Sequence, residues 1–132
     1  MGKVFLYTAH KMLWDMLVDE PLMTKSLGVE YLWEAGIISL RELQEVRRYS
    51  FCFACLYADF TCWECPLDFE HTYSICLSGL FLKWKKSVNI YKKRACRCCN
   101  YNDNVLLKLE DMIQLYAKRI RDLPVREGVE WR

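Results

Sequence analysis

Long apolar runs, histidine and net charge are what this chain is short of, and each shortage removes a class of function. No stretch approaches the roughly 18 consecutive apolar residues that cross a bilayer, so no membrane-spanning helix is expected. The opening Met1-Gly2-Lys3-Val4-Phe5-Leu6-Tyr7 carries too little apolar content for a secretory signal, and Leu6 stands where an N-myristoylation signal requires Ser or Thr. The expected location is the cytoplasm, with no membrane partner. His10 and His71 are the only histidines, and neither lies beside an evident orienting group, so no histidine-assisted nucleophile can be assembled. With no carboxylate pair for acid–base chemistry either, a non-enzyme is expected. A net charge of +2 neither demands a polyanionic partner nor suits an acidic mimic of DNA.

Three prolines and five glycines mark no linker, and the chain has no internal repeat or low-complexity segment, so residues 1–132 are expected to form a single domain. Apolar residues make up 53% and charged residues 27%, enough to build a core and too apolar for a disordered tail. A domain of this size often gains stability from a metal or a partner.

Cysteine is what the chain does have, eight of them. In a reducing compartment that number points to metal binding rather than to disulfides. Cys52-Phe53-Ala54-Cys55 and Cys62-Trp63-Glu64-Cys65 form two CxxC pairs separated by six residues. Two such pairs match the tetrahedral four-sulfur coordination of a structural Zn2+. Cys52, Cys55, Cys62 and Cys65 are therefore the expected metal ligands, and a closed four-sulfur site leaves no position for water or substrate. Common zinc ribbons separate their pairs by roughly 15 to 20 residues, so a compact loop is required here. A competing reading treats Cys62-Trp63-Glu64-Cys65-Pro66 as a redox dithiol at a helix start, although no thioredoxin-like βαβ pattern surrounds it. Cys76, Cys96, Cys98 and Cys99 match no standard finger, and a second zinc shared with His71 is the alternative to reduced thiols and a buried Cys76.

Apolar periodicity predicts a mainly α fold, a small helical domain carrying a zinc-stabilised CxxC/CxxC loop, with little strand. A first helix capped by Thr8 runs through His10, Leu13, Trp14, Leu17 and Val18 to Pro21. Between Leu22 and Ile38, Gly28 and Gly36 act as breakers around one short helix near Tyr31, Leu32 and Trp33. Ser39 and Glu42 form a capping box for a helix over Leu40 to Arg48, lined by Leu40, Leu43 and Val46. Phe51 to Phe69 shows no sustained period, and the metal is expected to replace regular structure there. A long helix follows from Thr72 to near Ala95. A last one, capped within Asn102-Asp103-Asn104, runs to Ile120 and is closed by Pro124. The expected core holds Trp14, Leu17, Leu43, Leu80, Trp84, Leu109 and Ile113.

Charge is unevenly spread. Leu82 to Asn102 contains Lys83, Lys85, Lys86, Lys92, Lys93, Arg94 and Arg97 and no acidic residue. Trp84, Tyr91 and Tyr101 are interleaved, so the cations could hold phosphates while rings stack on bases, as in nucleic-acid or nucleotide binding. The plainer alternative is a solvated helix face whose aromatics belong to the core.

His10-Lys11-Met12-Leu13-Trp14, the two CxxC pairs with Pro66 and Leu67, Cys76, Trp84 and the closing Ile120-Arg121-Asp122-Leu123-Pro124-Val125-Arg126 together resemble small cysteine-rich zinc-binding proteins of unknown function from bacteriophages and prophages of Gram-positive bacteria. The resemblance implies a phage accessory protein in the host cytoplasm, with the paired cysteines as zinc ligands. Asn89 to Asn104 departs from that pattern, so any role there rests on chemistry alone. The function the resemblance implies is binding that blocks or sequesters a host component, such as part of an antiviral defence system. The target would be a protein met by aromatics such as Trp33 and Trp63, or a nucleotide signal held by Lys and Arg. A nucleic-acid-binding zinc protein acting through residues 83–97 is the alternative.

Overall fold

A computed structural model describes residues 2–58, 65–67, 80–97, 104–125 and 131. Among these the protein is mainly helical, as the periodicity predicts. The helices are α1 (Gly2–Asp19), α2 (Lys25–Glu34), α3 (Leu40–Arg48), α4 (Phe53–Ala58), α5 (Leu80–Arg97) and α6 (Asn104–Arg121). The β content of the described residues is one isolated antiparallel bridge, Leu67 to Val125.

α1 is the central element, packing against α2, α4 and α6. Its apolar stripe begins before Thr8, at Leu6, and continues through Ala9, Leu13, Trp14 and Leu17, all buried. Burial of that longer stripe carries the helix past Thr8, which lies inside it rather than at its cap. Pro21 follows the last helical turn as expected, because its ring cannot continue the hydrogen-bond ladder.

α2 opens on Thr24, whose hydroxyl accepts from the Leu27 N–H at 3.1 Å. Gly28 lies inside this helix and does not break it. A Cβ built there would sit 2.5 Å from Leu13 Cδ1, so glycine is what allows α2 to approach α1 closely. Gly36 behaves as expected, ending the helical segment with a φ of +76°.

α3 forms over the predicted residues, and both halves of its capping box are made. The Glu42 N–H donates to Ser39 Oγ at 3.1 Å, and the Ser39 N–H donates to Glu42 Oε1 at 2.9 Å. Leu43 and Val46 are buried, whereas Leu40 stands 52% exposed, one step too far around the helix to reach the core.

The long helix before the second loop is described from Leu80 and extends to Arg97, slightly beyond Ala95. Residues 72–79 lie outside the described ones. α5 and α6 pack against each other, and α6 lies along α1. Gln114 Nε2 donates to the Val18 carbonyl at 2.9 Å. At the other end of α6, Lys11 Nζ donates to the Arg121 carbonyl at 2.7 Å, satisfying a helix-terminal acceptor. Arg121 also bridges to Asp15 at 3.1 Å.

Trp14, Leu17, Leu43, Trp84 and Ile113 are in the core as expected, while Leu80 and Leu109 are only half-buried. Trp14 meets Trp84 edge-on, with ring centroids 5.0 Å apart at 77°, and Phe81 at 5.4 Å and 80°. A second aromatic group gathers where Trp131 returns to the body. Its ring lies 5.2 Å from His10, 5.0 Å from Tyr7 and 5.7 Å from Tyr57.

Candidate functional site

The cysteine segment is built by an abrupt reversal at the end of α3. Ser50 and Phe51 both adopt left-handed backbone, with φ of 55° and 60°. That conformation is unfavourable for residues with a Cβ, and two in succession turn the chain sharply. The Val46 carbonyl anchors the turn by accepting from the N–H groups of Tyr49 at 3.0 Å and Phe51 at 2.9 Å. Cys52 N–H then donates to the Tyr49 carbonyl at 3.1 Å.

This reversal delivers Cys52 to the start of α4, and here the structure departs from the sequence reading. Residues 53–58 are helical rather than irregular. Phe53, Ala54 and Ala58 bury one side of that turn, and the Cys52 carbonyl accepts the first helical bond from the Leu56 N–H at 3.1 Å. Burial of this apolar side favours helix over these residues.

The spacing of Cys52 and Cys55 becomes one helical turn, which brings their sulfurs within hydrogen-bond reach. Hydrogen bonding from the Cys55 thiol is the largest influence on Cys52 and favours its thiolate. The backbone N–H groups of Cys55 and Ala54 and the charge of Lys25 act in the same direction, while burial opposes them. The Cys52 pKa is brought down from 9.0 to about 7. Orphan N–H groups at a helix start and a nearby ammonium are the ordinary means of acidifying a cysteine. Lys25 also stands over the Trp84 ring at 5.8 Å, linking this corner to α5.

Cys65 is buried at 8% exposure, and Pro66 and Leu67 after it are buried as well, with Leu67 held by its bridge to Val125. Cys62 and Trp63 lie outside the described residues. So do His71, Cys76, Cys98, Cys99 and Tyr101, and with them the alternative second metal site. Among the described residues, no three His, Cys, Asp or Glu side chains form a group that could hold a metal ion.

The cationic stretch covers the exposed part of α5, with Lys85 and Lys92 on one flank and the remaining exposed cations on the other. Lys83, Lys85, Lys86, Lys92, Lys93 and Arg94 are all exposed. At 100° per residue, Lys83, Lys86, Lys93 and Arg94 fall within an arc of roughly 100°, together with Ile90, which is 53% exposed. Between the two flanks Phe81, Trp84 and Ser87 face the core, and the Ser87 hydroxyl donates to the Lys83 carbonyl at 2.8 Å. Trp84 is 6% exposed and engaged with Trp14, so it cannot stack on a base. Tyr91 is half-buried against the core. The face therefore offers positive charge without an aromatic platform from either residue.

Charge separates by element in a way the net value conceals. α5 and α6 together carry eleven Lys and Arg against Glu110 and Asp111, while residues 2–58 carry six cations against seven acids. The α5–α6 pair therefore concentrates positive charge in a chain whose remaining residues carry more acids than bases.

No protein-family model matches the chain, and no curated protein or solved structure matches it. No helix among the described residues is long and apolar enough to cross a membrane.

Proposed function

We propose that the protein acts by binding rather than by catalysis, and that α5 is a docking face for the phosphate backbone of a nucleic acid. One observation carries this reading: six exposed cations share a helix that has no acidic residue in it. An ordinary solvated helix alternates its charges, because opposite charges spaced three or four residues apart support each other. A helix of one sign sacrifices that support, and a polyanion would restore it. Because Trp84 is committed to the core, the contacts would be to phosphates, which give affinity with little sequence selectivity.

In this reading Cys52, Cys55, Cys62 and Cys65 hold a structural Zn2+. The favoured Cys52 thiolate and the one-turn spacing to Cys55 supply half of such a site, since zinc takes deprotonated sulfur. The metal would tie the α3–α4 corner to the Cys65-Pro66-Leu67 segment.

Binding is tested with fluorescently labelled single-stranded and duplex oligonucleotides of mixed sequence, by anisotropy at several salt concentrations. With about four phosphate contacts, affinity falls roughly a hundredfold between about 50 and about 200 mM salt. No binding at the lowest salt would remove the reading.

A second reading keeps the phage-inhibitor expectation, a host protein or nucleotide signal captured in the cytoplasm. Trp33, 40% exposed on α2, favours it, because exposed Trp is enriched where proteins meet proteins. Purification of tagged protein from infected cells, comparing Trp33→Ala with the unaltered chain, distinguishes this from nucleic-acid binding. The variant would lose a protein target and retain the oligonucleotide.

A further inference from the structure

Two exposed apolar surfaces with opposite charge lie on different elements. The first is a groove of about 450 Å³ between α1 and α2, lined by Met12, Met16, Tyr31, Leu32, Glu34 and Ala35. Its rim is acidic. Asp19 and Glu20 continue the α1 face that presents Met12 and Met16, and Glu30 stands one turn before Glu34 on α2. Methionine adapts its shape to an incoming side chain, which suits a groove that receives one. Tyr31 is 44% exposed beside it.

The second surface is the outer side of α6. Lys108, Met112, Leu115 and Arg119 follow the alternating four and three residue spacing of a helical seam and are all exposed. Met112 and Leu115, 41% and 45% exposed, form its apolar centre, with a cation at each end. Asp111 lies on the flank of this seam rather than within it.

We propose that the α6 seam of one copy docks in the α1–α2 groove of a second copy, so that the protein is a reciprocal homodimer. Met112 and Leu115 enter the groove, while Lys108 and Arg119 meet the acidic rim. The complementarity of charge selects this occupant. Pairing of two α6 seams would bring cations from both copies into one contact, and pairing of two grooves would bring acids together, each unfavourable for like charges. The contact joins unlike surfaces, and it closes at two copies only when both give and receive, which sets two-fold symmetry. The cationic face of α5 takes no part and remains open in the dimer.

The test is sedimentation velocity across a concentration series, with two charge-reversed proteins. Glu30→Lys with Glu34→Lys inverts the groove rim, and Lys108→Glu with Arg119→Glu inverts the seam. These are exposed or half-buried side chains, and helical circular dichroism checks that each variant folds. The unaltered chain is expected to dimerise at micromolar concentration, and each variant alone to dimerise at least about tenfold more weakly. Mixing the two variants restores the dimer, because the inverted groove then meets the inverted seam and the two native surfaces meet each other. A chain that stays monomeric throughout, a dimer that survives both reversals, or a mixture that does not reassociate would each overturn the proposal.

Discussion

Mild acid should destabilise this protein through one side chain. His10 is 1% exposed, its Nε2 has no hydrogen-bond partner among the described residues, and its ring is packed with Tyr7 and Trp131. Burial foremost, and the charge of Lys11 second, lower its pKa from 6.5 to about 3. The folded protein therefore keeps a neutral imidazole while the unfolded chain takes up a proton below pH 6.5. The resulting stability is fully present above pH 6.5 and is lost as pH falls toward about 3. At about pH 5 the loss is about 2 kcal/mol, since each pH unit below the unfolded value costs about 1.4 kcal/mol. That is a sizeable part of a stability of roughly 5–15 kcal/mol. Carboxylates also begin to titrate in this range, so the comparison needs a variant that lacks only the imidazole. His10→Phe keeps a ring against Tyr7 and Trp131 and cannot be protonated. Urea unfolding at about pH 7.5 and about pH 5 should show the unaltered protein losing about 2 kcal/mol more than the variant. Equal losses in the two proteins would refute the buried neutral histidine.

Three further outcomes follow from the same structure. Gly28→Ala should destabilise by about 1–3 kcal/mol despite the better helix propensity of alanine, because the new Cβ meets buried Leu13 at 2.5 Å, and the double variant with Leu13→Ala should lose less in thermal unfolding than the two single variants lose in sum. Ser39→Ala removes the acceptor for the Glu42 N–H and should cost about 1 kcal/mol by chemical denaturation, with a change below a few tenths arguing that the α3 cap is not formed in solution. Purified protein should contain one zinc by elemental analysis and lose thermal stability on chelation, whereas Cys52→Ser with Cys55→Ser should abolish both the metal and the chelator effect. Metal-free protein with unchanged melting would exclude the four-cysteine site.

Where local signals and long-range packing agreed, the sequence was readable. Ser39 and Glu42 encode a complete cap within four residues, and α3 forms over the residues they predict. Gly28 shows the opposite case. Read alone it is a helix breaker, and only its contact with Leu13, fifteen positions earlier, shows why it sits inside a helix. The same applies to α4. Its six residues lack a sustained period, and burial of Phe53, Ala54 and Ala58 decides their conformation. At the candidate site, the paired cysteines announced a metal motif, but the left-handed Ser50 and Phe51 that deliver Cys52 to a helix start carry no glycine or asparagine to signal them. Trp84 is expected in the core although its indole could also stack on a base, and its contact with Trp14 agrees with the core reading. Trp131 escaped notice since no periodic segment contains it, yet it closes over His10.

The role of α5 as a polyanion-binding face is tested most directly by the salt dependence of oligonucleotide binding in one variant, Lys86→Glu with Lys93→Glu and Arg94→Glu. If these cations contact phosphates, the variant binds more weakly to every sequence tried, and the slope of log affinity against log salt becomes shallower by up to about three. A variant that binds with the affinity and the salt slope of the unaltered protein would contradict the account.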